Sequence, residues 1–141
     1  MKILRQVLES VAAQARAGLP HECCGILLSD ATDPSTISRT IPAKNAEKVS
    51  PSRRYVLGHE AHLKAVDMEV SGKSRIVGYY HSHPCSSEPI QGKVKPSHRD
   101  AELAVPEVTY LIVAPHDESI HHAAWRLEGD ELVPQPLEVT E

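Results

Sequence analysis

An α/β fold, with a mixed β-sheet flanked by helices, is the expectation from sequence. Three observations carry it. Apolar residues at helical spacing mark the start of the chain and a second segment near its middle. Continuous apolar runs of strand length lie between and after those segments. The final third carries strand patterns around a Glu128-Gly129-Asp130 turn, with no further long helix.

Within residues 3–17, Ile3, Leu4, Val7, Leu8, Val11, Ala12 and Ala15 recur at helical spacing, and Gly18 stops the pattern. Residues 23–28 are a short continuous apolar run, expected as a buried strand, with 29–34 as its turn. A second strand is expected over 36–41 and a weak third at 55–57. From 59 to 70, Leu63, Val66, Met68 and Val70 mix with charges in an imperfect helical pattern that Gly72 ends. Residues 75–83 read as a central strand, and 84–96, rich in Ser, Pro, Gly and Lys, as a loop. A short helix is expected over 98–105, before Pro106. Residues 108–114 read as another buried strand, and 119–127 with 131–133 as a closing hairpin. No repeat or long linker divides the chain, so residues 1–141 are read as a single domain.

Composition narrows the function classes. A chain of 141 residues can bury about 68–70% of its unfolded surface without disulfides or metals as staples. The core must be aliphatic, because there is no Phe, one Trp and four Tyr. A net charge of -4 with both signs interspersed offers no basic stripe for nucleic acid. Three cysteines, with Cys23 and Cys24 adjacent, suit a reducing compartment better than a disulfide framework. Arg5, Glu9 and Arg16 interrupt any signal-peptide pattern, and no segment approaches the roughly 18–20 apolar residues of a membrane span. A cytoplasmic, soluble protein without nucleic-acid or membrane partners is expected; oligomeric state is not readable.

The run Gly78-Tyr79-Tyr80-His81-Ser82-His83-Pro84 ends the central strand. Histidines one residue apart on a strand face the same way. A tetrahedral ion needs their nitrogens about 3.3 Å apart, whereas the Cβ atoms lie roughly 6.5–7 Å apart, so both rings must lean inward. A strand end permits that. Asp100 follows a loop able to return there, and a His/His/Asp set suits Zn²⁺ with a fourth position open to water. Fe²⁺ or Mn²⁺ would also be admitted. Each residue has a plainer alternative. The histidines could simply hydrogen-bond on a half-buried strand, and Ser97-x-x-Asp100 before Ala101-Glu102-Leu103-Ala104 is a capping-box pattern. Capping and ligation can coexist, since a capped turn would aim Asp100 rigidly and leave the Ser97 hydroxyl to serve an oxyanion. Glu22, at the mouth of the first buried strand, could move a proton between water and a leaving amine. Its plainer reading is a solvated loop glutamate.

Glu22, then His81-Ser82-His83-Pro84, then Ser97-x-x-Asp100 resemble the signature of the JAMM (MPN+) metallopeptidases. Pro20-His21-Glu22-Cys23-Cys24-Gly25-Ile26-Leu27-Leu28 and Gly78-Tyr79-Tyr80 resemble the segments those proteins carry around the site, so the likeness covers most of the chain. The resemblance implies an MPN (cytidine-deaminase-like) fold and one Zn²⁺ per chain bound by His81, His83 and Asp100. It implies Glu22 as general acid/base, Ser97 as the group stabilising the tetrahedral intermediate, and Ser82 behind the ligands. The implied activity is zinc-dependent hydrolysis of a peptide or isopeptide bond by metal-activated water. Small bacterial members act at the C-terminal tail of ubiquitin-like or sulfur-carrier proteins, after a terminal Gly-Gly. The alternative is a non-catalytic MPN-type scaffold, whose members lack the ligands found here. A zinc deaminase is rejected, because no second cysteine follows Pro84-Cys85 in P-C-x-x-C spacing. One departure stands out: residues 84–96 separate His83 from Ser97, a longer spacer than the family's. The surplus is expected as a flap beside the cleft or a tolerated surface insertion.

Other chemistry-bearing residues have no coherent partner set. His59, His62, His121 and His122 are assigned to surface or half-buried positions, and His98 and His116 to loops. Cys23 and Cys24 are read as buried thiols, and Cys85 as a loop thiol near His83, open to oxidation. Trp125, on an alternating strand, is assigned to the core.

Overall fold

The computed structural model describes residues 1–84, 94–116 and 119–141. In chain order it forms β1 (Lys2–Leu4), α1 (Arg5–Ala17), β2 (Cys24–Asp30), β3 (Thr36–Ile37), β4 (Arg39–Ala43) and α2 (His59–Val70). Then follow β5 (Ser74–Ser82), α3 (His98–Leu103), β6 (Thr109–His116), β7 (Ser119–Glu128), β8 (Glu131–Gln135) and β9 (Glu138–Thr140). The main sheet has the order β4-β2-β5-β6-β7-β8. Its β5–β6 pair is parallel and its other neighbours are antiparallel, so the sheet is mixed, as expected. A small parallel sheet, β3-β1-β9, lies beside it.

Two cores explain the apolar patterns. Val7, Val11 and Ala15 of α1 pack with Ile3, Leu27, Tyr80, Leu111 and Val113 on one face of the main sheet. Ile26 and Leu28 meet Ile41 and the α2 residues Ala61 and Ala65 on the other. Strand β2 therefore feeds both faces, which is why its sequence is continuously apolar rather than alternating. Along β5, Tyr79 belongs to the α2 side and Tyr80 to the α1 side. Alternation then sends His81 toward the α2 side and Ser82 toward the α1 side. A Cβ on Gly25 would come within 2.3 Å of the Tyr80 ring. Tyr80 is fully buried there, donating its hydroxyl proton to Gln14 Oε1 on α1. Gln14 in turn donates to the Cys24 carbonyl at 3.2 Å.

Several elements depart from the sequence expectation. Residues 3 and 4, expected within the first helix, belong to strand β1 instead, because parallel pairing with β3 and β9 buries Ile3 completely. Tertiary pairing there overrides local helical spacing. The strand expected over 36–41 is two short strands in different sheets, parted at Ser38, whose N–H donates to Leu28 O at 2.9 Å. Residues 55–57 make a single bridge, Asn45 to Leu57, and no strand. Helix α3 stops at Leu103, where extended Ala104 caps it. Strand β9 was not foreseen, since three residues give too short a pattern to read. No helix among the described residues is long and apolar enough to cross a membrane.

Candidate active site

Strand β5 carries His81 as its penultimate residue, and His83 follows just beyond its end. The chain still tracks β6 there, because the His83 N–H donates to Val113 O at 2.9 Å. Freed from strand neighbours, the rings lean together until their Nε2 atoms are 3.2 Å apart. Helix α3 brings Asp100, whose Oδ2 lies 3.2 Å from His81 Nε2 and 3.3 Å from His83 Nε2. A tetrahedral ion with bonds of roughly 2.0–2.1 Å needs donors about 3.3 Å apart. The three atoms form that triangle. Two nitrogens and a carboxylate oxygen at this spacing fit a divalent cation of zinc's size and ligand preference.

Electrostatics prepares the same atoms. Burial pushes the His81 imidazole below its ordinary value, toward the neutral form that ligates. Burial alone would raise the Asp100 carboxyl, but hydrogen bonds from His81 and His83 outweigh it and hold the group well below the usual carboxylate range. Asp100 also completes the capping box. Its Oδ2 accepts the Ser97 N–H at 2.8 Å, and Ser97 Oγ accepts the Asp100 N–H at 3.1 Å. Capping and convergence on the histidines thus coexist on one oxygen. The cap uses a lone pair of Ser97 Oγ and leaves its hydroxyl proton available to donate.

Glu22 is not a solvated loop residue: only 6% of it is exposed. Strand pairing explains its position, since Cys24 lies across from His81, and two further steps along that antiparallel ladder reach Glu22 and His83. Its N–H donates to Pro51 O at 2.7 Å, and its carbonyl accepts from Asn45 Nδ2 at 3.1 Å. Burial, reinforced by the Asp100 charge and opposed by His83, pushes the Glu22 carboxyl up to about 7. A Glu22 oxygen comes within 4.8 Å of both imidazoles, so Glu22, His81 and His83 could also surround a cation. Asp100 Oδ2 lies 3.2 and 3.3 Å from the two imidazole nitrogens. Glu22 stands beside it. Glu22, Tyr55, Ser97 and Asp100 line a cavity of about 20 Å³, room for one water molecule.

Several contributors escaped the sequence reading. Tyr55 stacks on His81 with ring centroids 4.7 Å apart and planes 21° apart. His81 Nδ1 is buried with no hydrogen-bond partner among the described residues, so this stack and the Nε2 contacts to His83 and Asp100 orient the ring. Asn45 organises the segment that carries Tyr55: its Nδ2 donates to the carbonyls of Glu22, Pro51 and Arg54, and its Oδ1 accepts from the N–H groups of Glu47 and Val56. Both residues arrive on irregular backbone, where no periodicity announces them.

Ser82 lies behind the two imidazoles, fully buried, accepting the Cys23 N–H at 2.8 Å. Trp125 is half-buried rather than core, and its Nε1–H donates to Val94 O at 2.9 Å, fixing the segment that leads into Ser97. His98 begins α3 instead of lying in a loop, and it pairs with Glu102 at 2.8 Å on the surface. His116 ends β6 rather than lying in a loop. His59 and His62 are exposed on α2, and His121 and His122 are half-buried on β7. Cys23 and Cys24 are buried free thiols. Cys85 and the bulk of the expected flap, 85–93, lie outside the described residues.

The model of the prokaryotic homologs of the JAB domain matches residues 4–128. A desampylase of Haloferax volcanii is 34% identical over 128 residues, covering 87% of this chain and 84% of that protein. A CysO-cysteine peptidase of Mycobacterium tuberculosis is 27% identical over 141 residues, covering 99% of this chain and 90% of that protein. A crystal structure of a JAB1/MPN domain protein from Archaeoglobus fulgidus superposes with a TM-score of 0.62 at 23% identity, covering 100% of both chains. That last likeness concerns the fold.

Proposed function

The chain belongs to the prokaryotic JAB-domain family, and from that premise we propose that residues 1–141 act as one zinc-dependent peptidase domain. Its substrate is the C-terminal tail of a ubiquitin-like or sulfur-carrier protein, cut at a peptide or isopeptide bond. The names of two relatives, a desampylase and a CysO-cysteine peptidase, support a hydrolase of this kind. The observation that carries the reading is the near-equilateral triangle of His81 Nε2, His83 Nε2 and Asp100 Oδ2, with separations of 3.2, 3.2 and 3.3 Å, beside a buried Glu22.

His81, His83 and Asp100 would hold the ion. When bound, it supplies Lewis acidity, polarising the scissile carbonyl and acidifying water. The rest is done by side chains of this chain. Glu22, buried within reach of the triangle, takes a proton from the attacking water and delivers it to the departing nitrogen. In the metal-free chain, burial holds its carboxyl near 7, above the ordinary glutamate value. The Ser97 hydroxyl donates to the oxygen that becomes negative as the carbonyl carbon turns tetrahedral. Tyr55 covers one face of the His81 ring and keeps it oriented.

The test is metal content together with turnover. Protein purified without added metal should contain near-stoichiometric zinc and should trim a sulfur-carrier protein extended beyond Gly-Gly, and chelation should stop it. A metal-loaded protein inert on every such tail, or one fully active after chelation, would overturn the reading. The first result is what a scaffold would give.

A further inference from the structure

We propose that the far end of the main sheet holds a second binding site, for a free α-amino acid with an aliphatic side chain. The site stands well apart from the triangle of His81, His83 and Asp100. Arg75, on its rim, comes six residues before His81 on β5, about 20 Å at the rise of a strand. A gap in the sheet creates it. Strand β5 begins at Ser74, but its pairing with β6 begins only at Gly78, opposite Thr109. Strand β7 runs on to Glu128, past Trp125, the residue opposite Tyr110 of β6. Before Val108 the chain turns away at Glu107, whose φ is 69°. What opens between β5 and β7 is a cavity of about 370 Å³, within the range of roughly 300–1,000 Å³ usual for small-molecule sites.

Arg75 and Arg126 stand on the two strands that flank the gap, and both line the cavity. They leave the sheet on the same face. Arg75 is two residues from Val77, which packs on the α1-side core, and Arg126 is two from Ala124, which lies opposite Leu111 of that core. Gln135 Oε1 accepts the Thr109 hydroxyl at 2.9 Å, so the amide offers the cavity its N–H donors. Two carboxylates line the same space. Glu69 comes from α2 on the opposite face, its Oε2 accepting the Ile76 N–H at 2.9 Å, and Glu107 comes from the turn. The structure pairs neither arginine with either carboxylate. Val77 and Val108 supply apolar wall between the charges.

This balance of charge selects the ligand. A planar guanidinium matches a carboxylate with two parallel hydrogen bonds, and such charge-assisted pairs are the stronger kind. Two carboxylates in the same space oppose a phosphate-like polyanion and attract an ammonium group. Because the opposite charges share the cavity without pairing, a dipolar molecule can bridge them. An α-amino acid carries both groups on one carbon, and the valine wall suits an aliphatic side chain. An extended peptide fits less well. The edge N–H that an added strand would need at Ile76 is already bound by Glu69.

The experiment uses the full chain, with L-leucine, L-valine and L-methionine as probes. The readouts are the backbone amide resonances of Val77 and Val108, the side-chain amide of Gln135, and Tm. At least one amino acid should shift those resonances saturably and raise Tm with its concentration. Its carboxamide, which lacks the anion, and the matching acid without the amino group should each bind about 10- to 100-fold more weakly, the range for a hydrogen bond to a charged group. The Arg75→Gln/Arg126→Gln double variant should weaken the amino acid by the same factor, and Glu107→Gln should weaken it too. All three residues are exposed, so the variants should keep the wild-type amide spectrum away from the cavity. No saturable shift with any of the three amino acids, equal binding of the amino-free acid, or tighter binding of inorganic phosphate would overturn the proposal. So would undiminished binding to the double variant.

Discussion

Ser82 and Cys23 exchange two hydrogen bonds across the end of the β2–β5 ladder: the Ser82 hydroxyl accepts the Cys23 N–H at 2.8 Å, and the Ser82 N–H donates to the Cys23 carbonyl at 3.1 Å. This clasp lies between the residue that follows Glu22 and the one that separates His81 from His83. It fixes the register of Glu22 against the imidazoles at the point where regular pairing ends.

Replacing Glu22 by Gln keeps the shape and removes the proposed proton carrier. Zinc content should stay near that of wild type, while kcat falls about 10²- to 10⁴-fold, the usual contribution of a positioned acid or base. Metal analysis beside steady-state kinetics checks this, and retained turnover would remove Glu22 from the mechanism.

Asp100 caps α3 and is proposed to bind the ion, and two substitutions separate these tasks. Asp100→Asn keeps an oxygen to accept the Ser97 N–H, whereas Asp100→Ala loses it. Both should weaken zinc binding by more than about 100-fold, since losing even the groups behind a ligand costs 10–100-fold. Only the Ala variant should lose about a further 1 kcal/mol of metal-free stability with the cap. Zinc titration and chemical denaturation of the two variants give the answer.

Ser97 offers the same kind of separation. Ser97→Ala should cost about 1 kcal/mol through the cap and lower kcat about 10²- to 10³-fold through the lost oxyanion donor. Ser97→Asp restores a capping acceptor but donates no proton, so its stability should recover while kcat does not. Recovery of both would assign Ser97 to capping alone.

Stability of the metal-free protein should respond to pH through Glu22. Its folded carboxyl sits at about 7 against an ordinary 4.5, so between those values the folded state holds the proton more tightly than the unfolded one. The stabilisation is fully present below 4.5 and lost as pH rises to about 7, an effect of about 3 kcal/mol. His81 runs the other way, because burial lowers its value below 6.5 and its contribution is lost as pH falls. The difference between wild type and Glu22→Gln isolates the carboxyl. That difference should slope across the window, and a flat difference would contradict the burial of an ionisable Glu22.

Asn45→Ala removes the amide that joins Glu22 O to Arg54 O and accepts the Val56 N–H. The cost should be about 1–3 kcal/mol, typical of leaving several polar groups without a partner. Because Asn45 bonds the Glu22 backbone and, among the described residues, none of the His81, His83 or Asp100 side chains, kcat should fall more than zinc affinity does. Equal losses in both would mean that the loop merely unravels.

What could be read from sequence was what regular structure delivers. His81 and His83 were legible because strand geometry fixes which way an i, i+2 pair faces. Asp100 was legible because a capping box announces a helix start. Glu22 was ambiguous from sequence: whether a strand-mouth carboxylate is solvated or buried depends on Pro51 and Asn45, distant residues that close over it. Tyr55 was illegible for the same reason. Its backbone is held by side-chain amide bonds rather than by a repeating ladder, and such bonds leave no period in the sequence.

The notch at Gly25 has a consequence for how this protein can fail. The Tyr80 phenol is seated like a bolt in the space that a missing side chain leaves, and the next residue along is His81. Gly25→Ala would evict the phenol and tilt the strand tip that aims the imidazoles. Such a chain would keep Glu22, His81, His83, Ser97 and Asp100 intact in its sequence and still be inert. An unaltered signature therefore does not certify a working relative unless position 25 is also read.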